Sequence, residues 1–206
     1  MLRSHMFQST ERTVFVSLAI WTIAITLGGI FGVFTQLPLP SIALLAVTSL
    51  TTLLFLYYRN PAVHQYVSTL NPRHLVVFHL WRIVAGFAFL YYGSQALLPE
   101  RFVINAGYGD LAVGFLVPFI LLGRQSDRKY IVFHLFSLLD FVVAVGTGLT
   151  FTILQVPLME NIATFPIVMI PLFGVPLTGA SSIMAINTLI EARPIHGSKE
   201  LVNDQT

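Results

Sequence analysis

Long apolar runs alternate with short polar connections along the chain. An α-helix needs roughly 20 apolar residues to cross the hydrocarbon core of a bilayer, which is about 30 Å thick. Six runs approach or exceed that length, and they predict membrane spans at residues 14–34, 41–58, 75–97, 102–122, 130–153 and 162–190. The pattern therefore predicts an all-α, polytopic membrane protein with six transmembrane helices in one bundle. This single domain covers residues 14–190, with polar tails at 1–13 and 191–206.

The fourth and sixth runs are less regular than the others. In the fourth, only residues 111–122 are free of charge, because the polar segment 105–110 ends in Asp110. Two interpretations are open: Asp110 lies within the membrane, or the segment is a non-helical entry that other parts of the protein bury. The sixth run carries three prolines, Pro166, Pro171 and Pro176. A helix through these prolines is expected to be tilted, kinked or locally broken.

Composition supports a membrane protein and excludes several other classes. Hydrophobic residues make up 55% of the 206 residues and charged residues only 10%, whereas soluble domains carry about 25% charged residues. The basic residues are spread thinly, so no nucleic-acid surface is predicted. The chain has no cysteine, which excludes disulfides, thiolate nucleophiles and cysteine-ligated metals. The expected partners are the lipid bilayer and, in a homo-oligomer, further copies of the chain.

The distribution of lysine and arginine predicts the orientation. With six spans, nearly all basic residues fall in the two tails and in the second and fourth loops, namely Arg3, Arg12, Arg59, Arg73, Arg124, Arg128, Lys129, Arg193 and Lys199. The opposite loops contain Arg101 alone, and Arg82 lies within the third span. Basic loops stay in the cytoplasm. We therefore expect both termini to be cytoplasmic and the protein to lie in the plasma (inner) membrane.

A short internal repeat links the third and fifth spans. Residues 73–81 and 128–136 share the sequence Val-Phe-His-Leu at an offset of 55 residues, after a basic start. Both spans also run in the same direction, which is the arrangement of a duplicated helical hairpin formed by spans 3–4 and 5–6. Four identical residues also arise by chance in a chain this apolar, so the duplication is one of two interpretations.

Three charged residues are predicted near the middle of the membrane. Counted from the nearest basic loop residue at 1.5 Å per helical residue, Arg82 lies about 13 Å deep, Asp140 about 18 Å and Asp110 about 21 Å. A charge in hydrocarbon needs a partner or a water-filled cavity. We therefore predict that Arg82 pairs with Asp140 and that Asp110 lies close by. Ser137 and Asn105 are the further polar candidates for this site.

Two functions fit such a cluster. One arginine against two aspartates leaves a spare carboxylate, and a buried carboxylate without full compensation can carry a proton. The first hypothesis is therefore a small permease or channel for a solute or ion, with Asp110 or Asp140 as the proton-coupling residue. The second is a membrane accessory or interaction protein without transport, in which the same residues form a structural ion pair that fixes helix register.

A third hypothesis concerns two histidines at matched depth. His79 and His134 lie in the two repeated segments, and two histidines on facing helices can ligate a b-type haem. The alternative is a pair of amphipathic imidazoles near the interface. No other cofactor and no metal site is predicted. No catalytic motif is present, so an enzyme is not the favoured interpretation.

Overall fold

The chain forms only helices and turns in the part that the structure describes. A computed structural model describes residues 2–192, with side chains from residue 8 onward, and contains no strand in that range. The helices are α1 (Leu2–Ile30), α2 (Pro40–Arg59), α3 (Pro61–Thr69), α4 (Pro72–Phe78), α5 (Trp81–Ser94), α6 (Glu100–Phe102), α7 (Gly109–Leu121), α8 (Asp127–Ile153) and α9 (Val175–Glu191). The all-α prediction is therefore confirmed.

Six helical segments are long and apolar enough to cross a membrane. We call them spans one to six: Gln8–Ile30, Pro40–Arg59, Pro72–Ser94, Glu100–Leu121, Asp127–Ile153 and Ile170–Glu191. Span three joins α4 to α5, and span four joins α6 to α7. The number of candidate spans agrees with the number predicted from the apolar runs.

Two predicted boundaries need correction. The first helix begins at Leu2 and ends at Ile30, whereas a span over 14–34 was expected; Gly32 has a φ of 68°, a left-handed conformation that ends the helix. The sixth span begins at Ile170 rather than 162, because Pro166 has no N–H with which to continue a helix. The predicted polar tail at 191–206 lies outside the described residues from 193 onward.

Span four is helical throughout. A π-helical turn, Val103–Tyr108, joins α6 to α7, so the segment 105–110 is a wider helical turn and not an irregular entry. Of the two interpretations above, the structure favours the one with Asp110 inside the span. A second π-helical turn, Ile170–Gly174, precedes α9 in span six. π-helical turns occur frequently at functional sites.

The connections between spans alternate between the two ends of the bundle, as six antiparallel crossings require. The turns between spans one and two, at Phe34–Gln36, and between spans five and six, at Met159–Ala163, are in contact. Asn161 also donates a hydrogen bond of 2.8 Å to the carbonyl of Leu97, between spans three and four. At the opposite end, His64 of α3 lies 3.3 Å from Glu191 at the end of span six.

Spans two to six form the core, and span one lies at its edge. Only 6% of the apolar window of span one is buried, against 50% for span six. Span one contacts α3 and the π-helical turn of span six, but its outer face is exposed. The polar groups described below therefore all lie within a five-span core.

Glycines allow spans three and four to pack closely. A Cβ atom on Gly86 would lie 2.7 Å from the Cγ of Leu111 and 2.8 Å from the carbonyl oxygen of Gly107. A Cβ atom on Gly114 would lie 2.6 Å from a side-chain carbon of Ile83. Small residues are what permit such close helix contacts in membranes.

We predict that Gly86→Ala destabilises the bundle. The added methyl group meets a backbone oxygen that cannot move freely, and overpacking of this kind costs about 1–3 kcal/mol. The matched control is Gly146→Ala, since a Cβ atom there meets nothing within 4 Å. That control should be neutral or stabilising by up to about 1 kcal/mol, because alanine is the better helix former. Thermal unfolding of both variants in detergent would measure this, and equal melting temperatures would contradict the close packing.

Candidate functional site

Arg82 is the centre of a buried ionic cluster. It lies at the start of α5, is 3% exposed, and donates hydrogen bonds from all three of its nitrogen atoms. Its Nε bonds Oδ1 of Asp110 at 2.6 Å, its Nη1 bonds Oγ of Ser137 at 3.0 Å, and its Nη2 bonds Oδ2 of Asp140. The predicted pairing with Asp140, with Asp110 close by, is confirmed. We call these four residues the Arg82 cluster.

Three spans contribute to the Arg82 cluster, and each position follows from local structure. Asp110 is in the first turn of α7, directly after the π-helical turn. Ser137 and Asp140 are three residues apart on α8, so both lie on one helix face. A Cβ atom on Gly109 would overlap the Asp140 carboxylate, so a side chain at position 109 would displace that carboxylate. Glycine at 109 is therefore required by the position of Asp140.

The charges of the Arg82 cluster do not balance. One guanidinium faces two carboxylates, which gives a formal charge of −1 when both aspartates are ionised. Burial of ions is costly, and good hydrogen-bond geometry offsets only part of that cost. A proton or a further cation would neutralise the remaining charge. The cluster can therefore hold a positive charge in addition to Arg82.

A central cavity of about 90 Å³ reaches the Arg82 cluster. Residues of spans two to six line it, and most of their side chains are apolar; the polar ones are Arg82, Asp110, Thr152 and Thr178. Ser137 and Asp140 are not among the lining residues. By volume alone the cavity has room for about six water molecules. Asp110 is thus the carboxylate that faces the cavity.

Asn105, the remaining polar candidate, lies apart from the four residues of the Arg82 cluster. Its Nδ2 donates a 2.9 Å hydrogen bond to Oγ1 of Thr147 on span five. Thr147 is seven residues beyond Asp140, which corresponds to about 10 Å along the helix. Asn105 lines a second, shallower pocket that also includes Arg101 and Thr150.

His79 and His134 are buried and linked by Ser182 of span six. Nδ1 of His79 lies 2.9 Å from the carbonyl oxygen of Leu75, which can only accept, so this nitrogen donates. Nε2 of the neutral ring is then the acceptor for the Ser182 hydroxyl at 3.1 Å. Nδ1 of His134 lies 3.4 Å from the same hydroxyl oxygen. Both histidines are therefore parts of one hydrogen-bonded group.

The two imidazoles do not fit a haem in this arrangement. Their ring centroids are 5.2 Å apart in an edge-to-face contact at 66°, so no porphyrin can lie between them. His79 is also in edge-to-face contact with Phe133. Among the side chains of residues 8–192, no group of three or more His, Cys, Asp or Glu is placed to hold a metal ion. The haem hypothesis is therefore abandoned.

Two polar residues of span six were not identified from the sequence. Ser182 joins the histidines, and Thr178 accepts a 3.0 Å hydrogen bond from Nε1 of Trp81 at the wall of the central cavity. Both belong to a buried face of α9 that also includes Ala185. Thr178, Ser182 and Ala185 are four and three residues apart, which places them on one face of a helix. This spacing of small side chains is the sequence signal that could have indicated the face.

Comparison with known proteins gives a family match and no assigned activity. The model of a family described as "Domain of unknown function (DUF8737)" matches residues 39–190. The matched range begins at the start of span two and contains the Arg82 cluster. No curated protein and no solved structure matches the chain.

We predict that Arg82→Leu lowers the free energy of unfolding by about 3–5 kcal/mol, because it leaves two buried carboxylates without a partner. Ser137→Ala is the comparison, since it removes one hydrogen bond to the guanidinium and should cost about 1.5–3 kcal/mol. Unfolding by a denaturing detergent in mixed micelles would measure both. An equal or smaller loss for Arg82→Leu would show that the guanidinium does not hold the cluster together.

Proposed function

The chain belongs to the DUF8737 family, and from the geometry of its site we propose that it is a small permease or channel of the plasma membrane. The observation that carries the proposal is the central cavity, which five spans enclose and which reaches Arg82 and Asp110. Charged residues within membrane spans commonly mark solute pathways or proton relays. A small solute occupies the cavity, and the Arg82 cluster supplies the charged end of its site.

Asp110 is the proton-coupling residue in this proposal. It is one of two carboxylates that share a single guanidinium, and it is the one on the cavity wall. Asp140 pairs with Arg82 from the other side and contacts Gly109. Proton uptake on Asp110 would be coupled directly to the contents of the cavity, whereas Asp140 would serve to hold Arg82.

A second function is favoured by one observation. Each of the three nitrogens of Arg82 donates a hydrogen bond to another residue of the protein, so the side chain is held in place without any ligand. This is what a structural ion pair requires, and the protein would then be a non-transporting accessory or interaction protein.

Reconstitution separates the two functions. In proteoliposomes on a solid-supported membrane, jumps in the concentration of small amines, carboxylates and neutral solutes should give a saturable current with at least one class. Asp110→Asn should remove the pH dependence of that current, and Asp140→Asn should keep it. The triple variant Arg82→Leu, Asp110→Leu, Asp140→Leu avoids an unpaired buried charge, so it should fold but carry no current. Wild-type protein that gives no current with any class would favour the structural ion pair.

The proposed orientation places both termini in the cytoplasm. It is supported by the excess of basic residues in the second and fourth loops, and by Arg101 alone in the opposite loops. The contacts between loops at each end of the bundle agree with an even number of crossings.

The orientation can be tested directly because the chain has no cysteine. We predict that Gln95→Cys reacts with a membrane-impermeant maleimide in intact cells, since Gln95 is exposed between spans three and four. Gln125→Cys, exposed between spans four and five, should react only after the cells are permeabilised. The cysteine-free parent chain is the control. The reverse labelling pattern would place both termini outside.

The duplication of hairpins 3–4 and 5–6 is supported by contacts at the offset of 55 residues. His79 touches His134, and Arg82 bonds Ser137; each pair occupies equivalent positions of the two repeated segments. Equivalent residues of two repeats meet where a two-fold axis passes between them, and here such an axis would run along the membrane normal. Each hairpin also has a π-helical turn before its second long helix.

A further inference from the structure

We propose that the central cavity binds a small organic cation, an ammonium group on an apolar body of about four carbon atoms, which matches a volume of about 90 Å³. This proposal names the class of solute. That the bound cation is transported rests on the proposed permease function. Binding itself depends only on the cavity and the Arg82 cluster.

Charge selects a cation over an anion. Asp110 is the carboxylate on the cavity wall, while Arg82 directs its Nε, Nη1 and Nη2 hydrogen bonds to Asp110, Ser137 and Asp140. Arg82 and Asp110 are the only charged side chains among the described lining residues, and spans two and six contribute none. With two carboxylates against one guanidinium, the cluster becomes neutral when one more positive charge binds. An anion would add to the existing excess.

The rest of the wall selects an apolar body. Aromatic rings surround the cavity, from Trp81 and Phe89 of span three, Phe102 of span four and Phe141 of span five. Rings of this kind attract cations through their faces and pack against apolar groups. Cavities lined by apolar side chains stay dry and take up small apolar molecules. A hydrated metal ion would find too few oxygen ligands here, whereas an organic ammonium needs one carboxylate and an apolar wall.

The cavity wall has few polar groups, and this limits how a ligand can be oriented. Arg82 and Asp110 are hydrogen-bonded to each other. The Thr178 hydroxyl accepts from Nε1 of Trp81 and donates to the carbonyl of Gly174. Thr152 donates its hydroxyl to the carbonyl of Leu149, and its oxygen can still accept a hydrogen bond. The ammonium group therefore has one charged partner on the cavity wall, Asp110, and the body lies among the aromatic side chains.

Binding can be measured with the protein's own fluorescence. The chain has two tryptophans, and Trp81 lines the cavity while Trp21 lies on span one. Trp21→Phe therefore leaves a single reporter in the cavity wall. We would titrate this protein in detergent with three ligands of matched size: butylamine, which is protonated at neutral pH, butanol, which is neutral, and butyrate, which is anionic.

The amine should bind at least about tenfold more tightly than the alcohol, and the anion should not bind measurably. Asp110→Asn should bring the amine close to the affinity of the alcohol, while Asp127→Asn, the same change at an exposed position outside the cavity, should leave the ratio unchanged. The comparison of three ligands needs no change in the cluster, so it stands even if Asp110→Asn does not fold.

Equal affinity for the three ligands, tighter binding of the anion, or no saturable binding of the amine would overturn the proposal. The permease function is judged separately. Binding of the amine without any solute-driven current in proteoliposomes would refute transport and leave the cation site in place. Currents with anionic solutes alone would refute the cation site and leave transport in place.

Discussion

The cost of burying the charge of Arg82 is the constraint on which the core depends. A guanidinium that is 3% exposed within a membrane span must have partners, and spans four and five supply three of them. Meeting those partners fixes the rotation of each of the three helices, because a helix turned by one residue would present a different side chain. The cluster therefore sets the register of spans three, four and five at once.

Close packing between backbones makes that arrangement possible. Gly86 and Gly114 bring spans three and four together, and Gly109 leaves room for the Asp140 carboxylate. The π-helical turn before α7 places Asp110 against Arg82 while Asn105 points to Thr147. The same packing leaves a space between spans two to six, which is the central cavity. Charge cluster and cavity thus have a common origin in how these helices approach each other.

Hydropathy and helical rise predict the spans and the depth of their charged residues. They do not predict the direction in which each side chain points, and this limits the prediction of the remaining contacts. The spans follow from runs of apolar residues, and the meeting of Arg82, Asp110 and Asp140 follows from their similar depth. Depth does not indicate how a side chain is rotated around its helix, so the hydrogen bond of Asn105 to Thr147 could not be predicted. Ser182 was not predicted as a site residue, because a single uncharged serine in an apolar span gives no signal in the sequence that it needs a buried partner. The predicted start of span six lies before the observed start, because hydropathy does not distinguish a helical apolar run from a proline-rich one that is not helical.

The position of span one has a consequence for how the core lies in the membrane. The cluster and the cavity belong to spans two to six, and five crossings are an odd number, so the two ends of this core lie at opposite ends of the bundle. If both termini are cytoplasmic, as proposed, the core begins on the opposite side of the membrane from the N-terminus. Span one, with only 6% of its apolar window buried, contributes little to packing, and in that orientation it is the segment that connects the N-terminal tail to the start of the core.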